Sequence, residues 1–230
     1  MGTVTRWLAT LVMVLAVGCR GGSPPRGAGD VTPSSRLPDE LERELAAIAA
    51  DPADAIGSGE KVYAPYELRR GDALAHAYGP EVTPRLAAEA GDAGRPLTYR
   101  LAMLHILALR DDDAADAALI AALDDPELRG TAAYGLGRMG FKGYPTRPRD
   151  RASVIAALRR HTGDPATFAD PWLEVTLRNQ DLVLAACARV VGVEGLPPID
   201  GLDPEFLGYE LPDLTDDARA ALLAYCDADR

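Results

Sequence analysis

The sequence predicts an all-α fold, a short α-solenoid of stacked antiparallel helix pairs, on three observations. From residue 38 onward apolar residues recur at spacings of three and four, the intervals between those segments carry Gly, Pro or Asp, and one helical stretch repeats. "LIAALDD" at 119–125 returns as "VIAALRR" at 154–160, an offset of 35 residues. A period of three to four marks a helix with one apolar face, Gly and Pro punctuate such segments, and an internal period of roughly 30 to 45 residues in helical sequence points to piled helix pairs. No comparable β-branched run with period two competes with this reading.

The chain divides into three regions: 1–18, 19–36 and 37–230. In "MGTVTRWLATLVMVLAVGCRGG" one cation, Arg6, precedes an apolar run from Trp7 to Val17 and then small residues before Cys19. That run is too short to cross about 30 Å of hydrocarbon as a helix, but it suits the apolar core of an export signal. Its end, Leu15-Ala16-Val17-Gly18-Cys19, resembles the lipobox of bacterial lipoproteins, with Ala16 standing where leucine is usual. The resemblance implies cleavage before Cys19 and lipidation of that cysteine, palmitate included. The other reading is an ordinary secretory signal with Cys19 incidental. Two or more acyl chains give stable anchoring. The resemblance therefore places the chain in the bacterial cell envelope, lipid-anchored at the periplasmic face or the outer membrane. Residues 20–36, "RGGSPPRGAGDVTPSSR", lack apolar periodicity and cannot offset the entropy of ordering. They form a disordered tether with a reach of roughly 20–25 Å.

Helices are expected in order from Pro38 onward. "PDELERELAAIAAD" opens with a proline at a first-turn position and acidic residues that suit the positive end of the helix dipole, and places Leu41, Leu45 and Ile48 on one face. Further helical segments cover 66–77, 82–90, 97–109, 114–124, 126–139, 150–161, 173–191 and 216–227, separated by breaks such as "GDAGRP", "LDDPEL" and "TGDPATFADP". "LRGTAAYGLG" (128–137) aligns with "YRLAMLHILA" (99–108), setting Arg129 on Arg100, Tyr134 on His105 and Gly137 on Ala108. "LIAALDDPELRGTAAYGLGRMG" resembles a bacterial HEAT-like repeat of the kind also seen in phycobilin lyases. Residues 119–140 carry the likeness, and 82–110 and 151–192 follow it more loosely.

This resemblance implies roles for particular residues. Arg100 and Arg129 would each reach an aspartate in an adjacent turn, Asp124 or Asp125, and tie one helix pair to the next. His105 and Tyr134 would face the concave side from the second helix of each pair, with Arg138 one turn beyond. Tyr and Arg are enriched where proteins bind proteins, so these three residues form the candidate interaction face for an envelope protein. Solvated surface is the bland alternative.

Other chemistry is thin. Gly135, Gly137 and Gly140 have the G-x-G-x-x-G spacing of a dinucleotide turn, but that motif needs a strand before its first glycine, and "ELRGTAAY" is helical in character. Close helix approach at Gly135 and Gly137 and a helix stop at Gly140 are the better readings. Asp72 and His76 lie four apart, on one helical face, yet a catalytic zinc site generally has three protein ligands. His161 sits in a last helical turn, where a cation suits the dipole. Cys187 and Cys226 form either a disulfide, favoured in an oxidising compartment, or two buried free thiols. The formal net charge of -11 repels nucleic acid. The expectation is a membrane-anchored protein-binding scaffold without cofactor, metal or catalytic residues. The alternative is an enzyme or pigment-handling protein akin to the HEAT-like lyases, with Asp72, His76 or a free thiol in a pocket.

Overall fold

The computed structural model describes residues 37–52, 70–138, 150–170, 175–200, 202–203, 207 and 214–228. The expected signal peptide, tether and Cys19 lie outside these residues, as do Gly140 and the side chain of Asp72. The described residues are 69% helical, which makes the fold all-α. None of their helices is long and apolar enough to cross a membrane.

Nine α-helices are described: α1 (Leu37–Ala50), α2 (Arg70–Ala77), α3 (Thr83–Gly91), α4 (Leu97–Leu109), α5 (Asp113–Ala122), α6 (Arg129–Gly137), α7 (Arg151–Arg159), α8 (Asn179–Val191) and α9 (Asp216–Asp227). Local chemistry sets several starts. Asp112 accepts from the Ala115 N–H at 2.9 Å, Asp150 from the Ser153 N–H at 3.3 Å and Thr215 from the Ala218 N–H at 3.2 Å, each satisfying one of the orphan donors of a first turn. Gly192, with φ +114°, ends α8 in a conformation that a side chain would strain.

The segment 173–191 departs from expectation at its front. Val175–Arg178 is a strand, β2, paired antiparallel with β1 (Thr167–Asp170) in the register Thr167↔Arg178 to Asp170↔Val175. Val175 and Thr176 are β-branched and favour extended backbone, and the helix begins only at Asn179. The run is four residues long, too short for a period to stand out in the sequence.

Packing follows the pairing. Within the sequence-adjacent pairs, α3 packs on α4, α5 on α6 and α7 on α8; between pairs, α3 meets α5, α5 meets α7, α4 meets α6 and α6 meets α8. The core runs through the second helices: Leu101, Met103, Leu104, Ile106 and Leu107 of α4, Leu136 of α6 and Val183 and Leu184 of α8 are all at most 1% exposed. α1 and α2 pack against α4, and α9 packs against α8.

Candidate functional site

Arg100 and Arg129 are buried and make the same pair of contacts. The Nε of Arg100 donates to the carbonyl of Ala90 at 3.0 Å, in the last turn of α3, and its Nη2 reaches Asp125 Oδ2 at 2.6 Å in the Asp125-Pro126 turn of the next pair. The Nε of Arg129 donates to the Leu123 carbonyl at 2.6 Å, at the end of α5, and its Nη1 reaches Asp164 Oδ2 in the Asp164-Pro165 turn after α7. Each guanidinium satisfies a helix-end carbonyl that lacks an intrahelical partner and pairs with a carboxylate from the following helix pair. Arg100 thus meets Asp125, whereas Arg129 takes neither Asp124 nor Asp125. The aspartate beside α6 belongs to the following pair, and Asp124 instead faces His161 Nε2 at 3.1 Å. The signal for Asp164 was present: the Asp-Pro of "LDDP" returns in "TGDP". Asn179, the first residue of α8, completes the junction, its Nδ2 donating to Pro126 O and Asp164 Oδ2, both at 3.0 Å.

The candidate interaction face is brought together in space. His105 and Tyr134, from consecutive second helices, stand edge to face with centroids 6.4 Å apart and planes at 76°, an arrangement favoured by the ring quadrupoles. The Arg138 guanidinium carbon lies 4.0 Å from the Tyr134 ring centroid, a cation–π contact. Both rings are partly exposed, but Arg138 is only 6% exposed. Arg138 therefore does not border an open face. Its guanidinium lies over the Tyr134 ring.

The glycine spacing has a packing origin. Gly135 and Gly137 lie in helix α6 and not after a strand. A Cβ on Gly135 would sit 2.7 Å from Ala108 Cβ of α4, and one on Gly137 would sit 2.9 Å from Ala186 Cα of α8. His76 is exposed near the end of α2. Cys187 and Cys226 are free thiols, both buried, and Cys226 Sγ lies 3.8 Å from the carbonyl oxygen of Leu184, one turn before Cys187.

Several ionic anchors went unread in the sequence. Arg110, 3% exposed, follows α4 and donates to the carbonyls of Leu74, Ala75, Tyr78 and Gly79, to Thr83 Oγ1 and to Asp112 Oδ2. Asp181, 2% exposed, holds Arg219 through two bonds of 2.6 and 3.2 Å. Glu89, 3% exposed, lies 2.7 Å from Arg85 and 2.9 Å from Arg95. Burial and the Glu89 carboxylate push the neighbouring Tyr99 hydroxyl up to about 12. The carbonyls that Arg110 holds lie 31 to 36 residues away and Asp181 lies 38 residues from Arg219, separations with no local signature, which is why the sequence did not pair them.

These pairs set a pH dependence. Burial raises the Asp112 and Asp164 carboxyls, but hydrogen bonds outweigh it and hold both below their ordinary range: Thr83, the Ala115 N–H and Arg110 for Asp112, and the Ala166 N–H, Asn179 and Arg129 for Asp164. Both carboxylates bind fewer protons folded than unfolded. Their stabilisation is complete above an unfolded value of about 3.9 and is lost as pH falls through the lower folded values. His161 is also depressed, by burial and then by Arg129, against the opposing Asp124. Its contribution is lost earlier, as pH falls below about 6.5 toward the folded value. Melting temperature should therefore decline in two stages on acidification. His161→Gln should flatten only the upper stage and Asp164→Asn only the lower; a His161→Gln profile superimposable on wild type from pH 7 to 5 would contradict the assignment. No protein-family model, curated protein or solved structure matches the chain.

Proposed function

We propose that the chain is a lipid-tethered helical-repeat module of the bacterial envelope, a short α-solenoid that binds a protein partner through the His105–Tyr134 surface. The observation that carries this reading is the repeated joint. Arg100 and Arg129, at aligned positions of successive pairs, each bridge a first-helix carbonyl to the Asp-Pro turn of the following pair. Nearest-neighbour joints of one design are how a stacked array extends, and such arrays work as binding surfaces. His105 and Tyr134 occupy a second pair of aligned positions and form a continuous, partly exposed aromatic surface across two repeats. Aromatic anchors with an arginine behind them are the residue types enriched at protein interfaces. The lipobox-like segment ending at Cys19 supplies the tether.

Two experiments test the two halves of this proposal. A photoreactive phenylalanine analogue placed at 105 or 134 in intact cells should capture the same protein, while the exposed position 152 on α7 should not. Equal capture from 152, or none from 105 and 134, would remove the interaction face. Cys19→Ser should abolish palmitate labelling and move the chain from the membrane to the soluble fraction. Retention in the membrane fraction would remove the lipid tether and leave the helical module intact.

A further inference from the structure

The C-terminal helix is fastened to α8 at several places. Asp181 and Leu214 N–H, with Arg219, join the beginnings of α8 and α9. The Tyr225 hydroxyl donates to the Gly192 carbonyl just past the end of α8. Arg159, from α7, donates to the carbonyls of Cys226 at 2.6 Å and Ala228 at 3.1 Å, satisfying two end carbonyls of α9. Between these ties sit Cys187 and Cys226, both fully buried. Cys226 Sγ lies 3.8 Å from the Leu184 carbonyl oxygen, one turn before Cys187 on α8, which sets the two thiols at the same level of the α8–α9 contact. Among the described residues no third His, Cys, Asp or Glu joins them in a group able to hold a metal ion.

We infer that Cys187 and Cys226 are a thiol-exchange couple that closes to an intramolecular disulfide when the chain meets a small-molecule or protein disulfide, and that the bond locks α9 onto α8. The two sulfurs are not equivalent. With α9 in place, the neighbouring Cys226 side chain and then the Arg159 guanidinium hold the Cys187 thiol below its ordinary range against the opposing effect of burial, whereas Cys187 and burial push Cys226 up. Either sulfur can open the exchange once α9 moves. When Cys187 opens it, its thiolate, having lost a proton to solvent, attacks one sulfur of the external disulfide. The external S–S bond breaks, one external thiolate leaves and takes up a proton, and a mixed disulfide remains on Cys187. Cys226 then loses its proton and attacks the Cys187 sulfur, expelling the second external thiolate. The two cysteines lose two electrons and two protons in all, and one external disulfide becomes two thiols. Because both sulfurs are buried, the first attack requires α9 to swing away locally. The second is favoured by the native packing that returns the sulfurs to contact. This inference is independent of the envelope reading, since glutathione in solution supplies the oxidant.

The test uses the full chain carrying Cys19→Ser, which leaves these two as its only thiols. Reduced protein is equilibrated with graded ratios of reduced to oxidised glutathione, quenched with acid, unfolded, alkylated and analysed as peptides by mass spectrometry. Both cysteines should lose alkylation in one shared transition, with a cross-linked 187–226 peptide two hydrogens lighter than the sum of its parts. Closing the loop between them should raise the melting temperature by roughly 10 °C. Cys226→Ala should trap glutathione on Cys187, and Cys187→Ala should trap it on Cys226, neither variant giving the cross-linked peptide. Alkylation of both cysteines at every ratio, or separate glutathione adducts without the cross-linked peptide, overturns the couple; a cross-linked chain with unchanged melting overturns the lock.

Discussion

Replacing Arg110 by alanine should lower the stability of the fold by about 3–5 kcal/mol, the range for removing one partner of a buried charged pair. Arg110 directly follows α4, and its side chain is 4% exposed. It donates to four carbonyls of the 74–79 segment, at 3.2, 3.2, 3.3 and 2.6 Å. Leu74 and Ala75 belong to the last turn of α2, where carbonyls have no helical donor. The same guanidinium reaches Thr83 Oγ1 at 2.8 Å and Asp112 Oδ2 at 3.0 Å, and Thr83 donates to that carboxylate oxygen at 2.7 Å. One side chain therefore closes α2, meets the first residue of α3 and steadies the cap of α5. Its loss strands several buried acceptors at once, each of which costs about 1–3 kcal/mol when unpaired. Arg110→Lys should recover little, because a single ammonium cannot present five donors in a planar fork. Urea midpoints for wild type, Arg110→Ala and Arg110→Lys measure this directly. A loss below about 1 kcal/mol for alanine, typical of an exposed site, would show that the network is not closed as described.

The helices were legible because their signal is local. Leu41, Leu45 and Ile48 announce a buried face by spacing alone, and they are at most 8% exposed. The same holds for α4, whose expected bounds of 97–109 are the observed ones. Short-range turn chemistry was legible too, as in the Asp125-Pro126 break. Strand β2 was hidden because four residues cannot display a period, and its partner lies across a connection whose composition says only that a helix cannot continue.

The site was legible only where repetition carried it. His105 and Tyr134, aligned in the sequence, stand with their rings side by side, and the aligned Arg100 and Arg129 make two joints of one design. What repetition could not supply was depth. Arg138 has the composition of a surface residue, and only the packing shows its guanidinium laid over the Tyr134 ring. The buried Arg110 and the partly buried Arg219 defeat sequence reading for the same reason: a charge is assigned to solvent unless its partner is known, and the partner is fixed by tertiary contact.

Gly137→Ala and Gly135→Ala should each destabilise the fold by about 1–3 kcal/mol, the range for overpacking a close-packed site. The sign is the informative part, since alanine is favoured over glycine in a helix interior by roughly 1 kcal/mol. Helix α6 lies between α4 and α8, and its two glycines let both neighbours approach without side chains intervening. At Gly135 the added methyl would meet Ala108 Cβ at 2.7 Å; at Gly137 it would meet Ala186 Cα at 2.9 Å and Cβ at 3.0 Å. Those obstacles differ in kind. The first is a methyl group that Ala108→Gly removes, so the double variant should regain most of the loss and show a coupling energy of about 1 kcal/mol or more. The second includes backbone, so Ala186→Gly combined with Gly137→Ala should recover much less. Thermal or urea unfolding of the two double-mutant cycles distinguishes them. If Gly135→Ala and Gly137→Ala both stabilise the chain, α6 does not approach α4 and α8 this closely. The stacking of second helices on which the interaction face depends would then be wrong.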